Sequence, residues 1–288
     1  MWTNEYKPDS AGFQVLLSVY NGERYMQRCL ESLNKSLAGY NWILLYGDDG
    51  CTDESTIELA RYVRHLKCDK VHLYEYDKAL TVGEAKNRLI KESHDFKEDY
   101  PYILFMDVDD IMLPERPKML NTAMETNSDY IVGSWQRLKS TGTKSLKRSE
   151  KVCESLSFGP WATLFHRDFL PEDGLFFPQD EVSNSGHEDL LTWNHLKYIN
   201  EIEPTPHLSE NPVHSYIQNP SSASNHKDIK KTNYRRNIFW GISRLIKDDK
   251  RNIYKDLLTP EEAEAAMEDY ILFKQIEKAE LESVCPFD

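Results

Sequence analysis

The first 110 residues alternate four short apolar runs with three stretches in which apolar side chains recur at helical spacing. The apolar runs are Phe13 to Val19, Trp42 to Tyr46, Val71 to Tyr76 and Pro101 to Met106. The helical stretches between them are residues 25–37, 53–66 and 82–93. Because neighbouring parallel strands need a crossover connection, which helices supply, this order predicts an α/β fold with a doubly wound, mostly parallel sheet.

The rest of the chain follows a less regular pattern. We predict a helix over residues 114–126, a strand over 129–135 and a basic loop over 137–151. An irregular aromatic stretch then runs through Phe177, followed by another helix. Beyond Asn225 the chain is typical of helices, and Thr259, Pro260 and Glu262 form a capping-box pattern at the N-cap, N1 and N3 positions of the last one, which predicts a helical C-terminal extension over residues 226–288.

Charge and hydropathy limit the classes of protein to which the chain can belong. The 288 residues hold 35 Lys and Arg against 48 Asp and Glu, a formal net charge of −13. Two stretches are nevertheless basic, since residues 137–151 hold six basic and one acidic side chain and residues 226–251 hold nine and three. An anionic partner, nucleic acid included, therefore stays open. No apolar run approaches the roughly 20 residues that cross a bilayer, and the first eleven residues are too polar for a signal peptide, so we expect a cytoplasmic protein without a transmembrane segment.

Aspartates collect where the predicted strands end. Asp48 and Asp49 follow the second strand, and Asp107, Asp109 and Asp110 follow the fourth. The carboxyl ends of parallel strands share one edge of the sheet, where ligands bind, so these carboxylates should crowd and repel one another. A hard cation such as Mn²⁺ or Mg²⁺, completed by substrate phosphates, relieves that repulsion. A single aspartate such as Asp110 is also a common turn or cap residue.

Three phosphate chemistries fit the strand ends poorly. A phosphatase of the DxD type needs its nucleophilic Asp after the first strand, which here ends in Tyr20 and Asn21. A P-loop enzyme needs the sequence GxxxxGK[ST], and a nucleotidyltransferase needs a glycine-rich loop after the first strand; neither is present. Transfer of a sugar from a nucleotide sugar is the phosphate chemistry that remains.

Five short motifs then stand in a recognisable order. They are Ser18 to Tyr25 (SVYNGERY), Asp48 to Asp53 (DDGCTD), Glu84 to Arg88 (EAKNR), Asp107 to Asp110 (DVDD) and Gly186 to Asp189 (GHED). Together they resemble the motifs of family 2 glycosyltransferases, whose domain has the Rossmann-like GT-A fold. The third motif has Lys86 where the family has Arg. Each tetrapeptide alone is weak evidence, but their order over residues 13–225 is specific.

The resemblance implies a donor site for a nucleoside diphosphate sugar, with a UDP-sugar favoured. The residues implied for it are Tyr20, Asn21, Asp48, Asp49, Lys86 and Asp107. In this reading Tyr20 and Asn21 line the nucleotide pocket, and Asp48 or Asp49 accepts from a uracil imide. Lys86 contacts base or phosphate, although a solvated surface lysine is nearly as good an interpretation. Asp107 approaches the ribose.

The resemblance also implies the metal and acceptor sites. Asp109 would bind the Mn²⁺ or Mg²⁺ that bridges the diphosphate, and Asp189 would be the general base. Trp193, four residues further on, could stack on an acceptor ring or lie in the core. The family often has a metal-binding His where this chain has Asn219, so Asn219 or the nearby His214 is the candidate for completing the metal site.

The function implied is a metal-dependent, inverting transfer of sugar to a hydroxyl of a saccharide or glycoconjugate. The resemblance divides the chain into a nucleotide-sugar-binding half over residues 1–110, an acceptor-binding half over 111–225 and the extension over 226–288. Two alternatives stay open. One is transfer to a hydroxymethylated base of DNA, which the basic segments 137–151 and 226–251 would hold. The other is an inactive domain that binds nucleotide sugar or glycan without turnover.

Overall fold

The computed structural model describes residues 12–79, 81–138, 144–156, 158–177, 189, 192–193, 196–197 and 200–217. The predicted extension over residues 226–288, its basic segment and Asn219 lie outside the described residues. The strands are β1 (Gly12–Val19), β2 (Asn41–Asp49), β3 (Lys70–Tyr76), β4 (Tyr102–Asp107), β5 (Ile111–Met112), β6 (Tyr130–Val132), β7 (Trp135–Leu138), β8 (Lys144–Lys147), β9 (Thr163–His166), β10 (Thr205–Pro206) and β11 (His214–Ile217). The α-helices are α1 (Glu23–Ser36), α2 (Ser55–Tyr62), α3 (Val82–Ser93), α4 (Met119–Thr126) and α5 (Ser149–Ser155).

Seven strands form the large sheet in the order β10-β6-β9-β4-β1-β2-β3. The pairs β1–β2, β1–β4, β2–β3 and β6–β10 are parallel, whereas β9 runs antiparallel to both β4 and β6. The predicted α/β fold with a mostly parallel, doubly wound sheet is therefore confirmed. Central strands β1, β2 and β4 are buried along almost their whole length, as expected for parallel strands covered on both faces.

The helices form where the sequence repeats apolar residues on one face. In α1 the buried residues Met26, Cys29, Leu30 and Leu33 recur at spacings of three and four, so this face packs into the core. Helix α3 packs on β1 and β2. It begins at the N-cap Thr81, whose hydroxyl oxygen accepts a hydrogen bond from the backbone N–H of Glu84 at 3.0 Å.

A second, four-stranded sheet has the order β5-β11-β7-β8 and was not predicted. Strand β5 directly follows the four-residue motif at the end of β4, and β11 pairs antiparallel with β5 and parallel with β7. The chain passes from the large sheet to the small one between β6 and β7, at Gly133 and Ser134. A Cβ at Gly133 would lie 2.5 Å from the Val213 side chain, so only glycine fits this crossing.

Two predictions for this region were wrong. The single strand predicted over residues 129–135 is two strands in different sheets. The basic loop predicted over 137–151 contains the end of β7, strand β8 and the start of α5, and β7 and β8 pair antiparallel. Four-residue strands carry too short an alternation to be recognised against a run of Lys, Ser and Thr. In the described part of the chain, no helix is both long and apolar enough to cross a membrane.

Candidate active site

The ends of three neighbouring strands bring the predicted donor-binding residues to one edge of the large sheet. The register pairs Val19 of β1 with Asp48 of β2 and Ser18 of β1 with Asp107 of β4. Tyr20 and Asn21 therefore leave β1 between the two aspartate pairs, as expected for the carboxyl edge of a parallel sheet.

The turn after β1 is held by the turn after β2. Asn21 has a backbone φ of +52°, a left-handed conformation that Asn adopts more readily than most residues. Its side-chain Oδ1 accepts a hydrogen bond from the backbone N–H of Thr52 at 2.8 Å. The Gly22 N–H donates to the Ser55 hydroxyl oxygen at 2.8 Å. Asn21 thus shapes the site rather than simply lining it.

Tyr20 offers an exposed aromatic surface beside this turn. Its side chain is 44% exposed, and the ammonium nitrogen of Lys78 lies 3.9 Å from the ring centroid. An exposed ring at the carboxyl edge of the sheet can stack on a planar base. Lys78 supplies positive charge on the same side of the ring.

The structure distinguishes the two neighbouring aspartates after β2. Asp48 is engaged through both oxygens, because Oδ1 accepts from the Cys51 N–H at 2.7 Å and Oδ2 from the Thr56 hydroxyl. Asp49 accepts through Oδ1 alone, from the Ala79 N–H at 2.8 Å and from Arg88 Nη1 at 3.3 Å. Its Oδ2 receives no hydrogen bond from the described residues. Burial raises the pKa of Asp49, against the opposing effects of Ala79 and Arg88.

Lys86 is not the solvated surface lysine that the sequence allowed. It lies on α3 with only 6% of its surface exposed, and its ammonium nitrogen is 5.5 Å from the ring centroid of Phe177. The neighbouring Asn87 fixes the Phe177 backbone, accepting from its N–H at 2.8 Å and donating to its C=O at 2.7 Å. Lys86 therefore faces the protein interior next to the stretch that ends at Phe177.

The motif Asp107 to Asp110 forms a tight turn after β4. The Asp110 N–H donates to the Asp107 carbonyl at 3.1 Å, and Arg28 Nη2 donates to the Asp109 carbonyl at 2.6 Å. Burial first, and then the charges of Asp110 and Asp107, raise the pKa of Asp109 to about 7. Negative charge with too little compensation at Asp107 and Asp109 offers one or two carboxylates to a hard divalent cation, and Mn²⁺ or Mg²⁺ commonly takes its other ligands from phosphates and water, so these two residues fit such an ion.

His214 is bound to the third aspartate of this motif. Its Nε2 lies 2.9 Å from Oδ2 of Asp110, both side chains are 0% exposed, and the indole of Trp161 stacks on the imidazole with centroids 4.6 Å apart. The Ile217 N–H donates to Oδ1 of the same carboxyl at 2.8 Å. Because Nε2 is engaged and the ring is covered, we reassign His214 from metal binding to positioning β11 against the motif. Among the described residues, no three His, Cys, Asp or Glu side chains group as metal ligands.

Arg116 belongs to this buried network, and sequence reasoning missed it. Its side chain is 0% exposed, and Nη2 donates to the Thr163 carbonyl at 3.1 Å. Burial lowers the pKa of Arg116 to about 9, against the opposing charges of Asp107 and Asp110. An Arg that follows Pro114 and Glu115 looks like a surface residue in the sequence, and no local feature predicts its burial.

Trp193 is a core residue, which corrects its predicted contact with the acceptor. It is 1% exposed, its indole N–H donates to the Phe158 carbonyl at 2.8 Å, and it stacks on the Phe158 ring at 5.1 Å. Asp189 is partly buried and lies close enough to Tyr130 for its charge to help raise that pKa, after burial and Cys153. The structure thus gathers Tyr20, Asp49 and the Asp107 to Asp110 turn at one edge of the large sheet. Asp189 lies near Tyr130, a residue of the aromatic core.

Sequence and structure comparisons identify the family and the fold of the chain. The sequence profile of Glycosyl transferase family 2 matches residues 14–178, more than half of the chain. One curated relative, the amylovoran biosynthesis glycosyltransferase AmsE of Erwinia amylovora, is 29% identical over 122 residues, which are 42% of this chain and 43% of AmsE.

Solved structures share the fold at low sequence identity. TarS 1-349 from S. aureus in complex with UDP-GlcNAc superposes with a TM-score of 0.59 at 18% identity, covering 81% of this chain and 66% of that one. The mannosyltransferase PcManGT of Pyrobaculum calidifontis, in complex with GDP-Man and Mn²⁺, gives 0.52 at 14% identity, with 86% and 68% covered. The chain spans less than half of AmsE and about two thirds of the TarS fragment. The match to the family profile over residues 14–178 shows that the chain belongs to glycosyltransferase family 2.

Proposed function

We propose that this chain transfers a sugar from a UDP-sugar to an acceptor hydroxyl in a metal-dependent, inverting reaction. The observation that carries the proposal is the meeting of Tyr20, Asn21, Asp49 and the Asp107 to Asp110 turn at the carboxyl edge of a family 2 domain. These groups offer a ring for the base and carboxylates for base, ribose and metal. Solved relatives of this fold hold UDP, UDP-GlcNAc or GDP-Man.

The hydrogen bonds of Asp49 favour uracil over guanine. Uracil presents one N–H between two carbonyls, which suits a single accepting oxygen beside a donor. Guanine presents two adjacent donors, N1–H and the 2-amino group, which suit both oxygens of a carboxylate. Because Oδ1 of Asp49 already accepts from Ala79 and Arg88, Oδ2 is the one oxygen left for the base, which matches a single N–H better than two adjacent donors. Asp48, whose two oxygens each accept a hydrogen bond from the neighbouring turn, at Cys51 and Thr56, shapes the turn instead.

The metal would be held by Asp109 with help from Asp107. Mg²⁺ and Mn²⁺ are commonly bound by one or two carboxylates together with substrate phosphates and water, so a dedicated cage of protein ligands is not required. A bound cation neutralises the charge that develops on the diphosphate leaving group. Asp107, at the end of β4, can also reach the ribose.

The acceptor side belongs to residues 111–225, and the donor side to residues 1–110. Strands β1 to β4, all within the first 107 residues, are contiguous in the large sheet, which supports this division. Asp189 would remove the acceptor proton as the hydroxyl attacks the anomeric carbon opposite the leaving group. An ionised carboxylate at that position gives inversion without a covalent intermediate.

A two-stage experiment tests the proposal. Thermal unfolding is first measured with UDP or GDP, each with and without Mn²⁺, since a ligand that binds the native state raises the melting temperature. UDP release from UDP-glucose, UDP-galactose, UDP-GlcNAc and UDP-glucuronate is then followed with mixed acceptors. We expect a Mn²⁺-dependent shift with UDP, and transfer that Asp189→Asn removes while UDP binding is kept. Asp129→Asn, an exposed carboxylate elsewhere, is the matched control.

Two results would overturn it. A larger shift with GDP than with UDP would reject the uracil assignment. Binding of UDP and Mn²⁺ without transfer or donor hydrolysis on any acceptor would instead favour a binding module without turnover.

A further inference from the structure

One face of the small sheet runs from the aspartate motif to a pair of exposed cations. The register pairs His214 with Trp135 and Tyr216 with Arg137, and across the hairpin it pairs Trp135 with Lys147 and Arg137 with Ser145. Paired residues and residues two apart point to the same side of a sheet. We call this set, His214, Tyr216, Trp135, Arg137, Ser145 and Lys147, the hairpin face.

Side-chain contacts confirm that these residues share a face. The Trp161 ring stacks on both His214 and Tyr216, with centroids 4.6 and 5.6 Å away. The Arg137 guanidinium carbon lies 5.9 Å from the Trp135 ring centroid and 5.7 Å from that of Tyr216. On the opposite side, Gln136 donates to the Ser215 hydroxyl at 2.6 Å.

The buried end of the face adjoins the aspartate turn of the candidate active site, and its accessible part is Arg137 and Lys147 with the partly exposed Tyr216. His214 is bonded to Asp110, the residue after the proposed metal ligand. Strand spacing of about 4.8 Å and a rise of about 3.3 Å per residue put Tyr216 about 7 Å along β11 from His214, and Lys147 about 10 Å across the sheet. The exposed part of the face therefore lies about one or two sugar rings from the aspartate turn.

The chemistry of the face is aromatic and cationic. Arg137 and Lys147 are exposed, and the described members of the face include no acidic side chain. The Arg137 guanidinium lies within cation–π range of two rings, which hold it in place, and its N–H groups can donate to a planar or tetrahedral anion. The Tyr216 ring beside it is partly exposed and suits the apolar side of a sugar.

We propose that the hairpin face is the acceptor subsite, and that the acceptor is a saccharide carrying a carboxylate or phosphate group that Arg137 and Lys147 bind. This inference rests on the proposed function and names its acceptor class. The chain has a net charge of −13, and Arg137 and Lys147 supply local positive charge that an anionic sugar can meet.

The test compares acceptors that differ only in charge. Transfer from the active UDP-sugar is measured to glucuronate against glucose, and to N-acetylglucosamine 6-phosphate against N-acetylglucosamine. We expect kcat/KM to be about tenfold higher for the anionic member of each pair and to fall as NaCl is raised. Arg137→Gln and Lys147→Gln should each remove most of this preference while leaving neutral acceptors within about twofold. Lys70→Gln, an exposed lysine on β3, is the matched control and should change neither.

A binding measurement makes the test independent of turnover. Titration calorimetry of the intact chain with an oligogalacturonate tetramer and with maltotetraose measures the affinity of the hairpin face for an acidic and a neutral saccharide. UDP binding with Mn²⁺ is measured separately and tests the donor site. Equal affinity for both tetramers, or a preference unchanged in Arg137→Gln, overturns the inference while the transferase proposal stands. Tighter binding of a 20-nucleotide single-stranded DNA than of the acidic tetramer, lost in the same variants, overturns it in favour of nucleic acid.

Discussion

The imidazole Nε2 of His214 lies 2.9 Å from Oδ2 of Asp110, and neither side chain reaches the surface. The two residues are 104 positions apart in the sequence. This hydrogen bond and the one from the Ile217 N–H to Asp110 together hold strand β11 against the turn that carries Asp107 and Asp109. Burial lowers the pKa of His214 and raises that of Asp110, so the imidazole is neutral at physiological pH. The pair joins the motif to the hairpin face.

Breaking this pair should be costly for folding. His214→Leu leaves the buried Asp110 carboxyl without its imidazole partner, and we expect a loss of about 1 to 3 kcal/mol in the free energy of unfolding, the cost of an unpaired buried polar group, measured by urea denaturation. The double variant Asp110→Asn/His214→Gln can remake an amide hydrogen bond, so it should lose less than the sum of the two single variants. Strictly additive losses would show that the two side chains do not interact.

Asp109 makes the stability of the metal-free protein depend on pH. Its pKa of about 7 exceeds the value near 3.9 of an unfolded Asp, so the folded chain binds more protons between about pH 4 and pH 7. Its contribution to stability therefore falls as pH rises through that window. Asp109→Asn should raise the melting temperature at pH 7.5, by about 2 to 4 °C for each kcal/mol recovered. Differential scanning calorimetry without metal checks this.

The same carboxyl should make Mn²⁺ binding depend on pH. A metal binds the ionised form, so the Mn²⁺-induced rise in melting temperature with UDP should grow from pH 6 to pH 8. Asp109→Asn should lose that rise at every pH, whereas Asp129→Asn should keep it. A rise that is constant across this range would remove Asp109 from the metal site.

Asp48 and Asp49 should have separable effects. Asp49→Asn is expected to weaken UDP binding about 10- to 100-fold, the cost of one charge-assisted hydrogen bond to the base. Asp48→Asn should lower the melting temperature because it disturbs the bonds to Cys51 and Thr56, yet leave the UDP Kd within about threefold. Calorimetric titration of both variants decides the assignment, and the opposite pattern would exchange the two roles.

Trp193→Phe should change stability and not the acceptor. The replacement loses the hydrogen bond to the Phe158 carbonyl and leaves a cavity among the stacked rings, for a cost of about 1 to 3 kcal/mol. Steady-state kinetics should give an acceptor KM within about twofold of the parent. A large rise in KM with unchanged stability would restore the predicted stacking role.

The helices and strands of the first half could be predicted from the sequence because their apolar residues repeat at regular spacing. Helix α3 was predicted over residues 82–93 and spans Val82–Ser93, and β1 begins one residue earlier than predicted. The aspartates at the ends of β2 and β4 could be placed at one edge because parallel strands force that arrangement. Which of Asp48 and Asp49 keeps an oxygen without a hydrogen bond from the described residues could not be predicted, since it depends on contacts with Cys51, Thr56, Ala79 and Arg88.

The small sheet and the buried network of Asp110, His214 and Arg116 could not be predicted, because they form between residues that are far apart in the sequence. Strand β5 is two residues long, and it pairs with β11 about a hundred residues later. His214 looked like a metal ligand because no local feature reveals that Asp110 and Trp161 enclose it. Lys86 and Arg116 are buried cations, which composition alone assigns to the surface.

The position of β9 sets the order in which the nascent chain can bury its surface. Strands β1 to β4 come from the first 107 residues and can pair with one another as they leave the ribosome. One edge of β4 stays unpaired until β9, at residues 163–166, has been synthesised. Until then an apolar strand, Tyr102–Asp107, presents unpaired backbone groups, which are a template for misassociation. A chain truncated before β9 should therefore aggregate. During synthesis, the exposed edge of β4 is most in need of a chaperone while the chain has passed α5 but β9 has not yet paired.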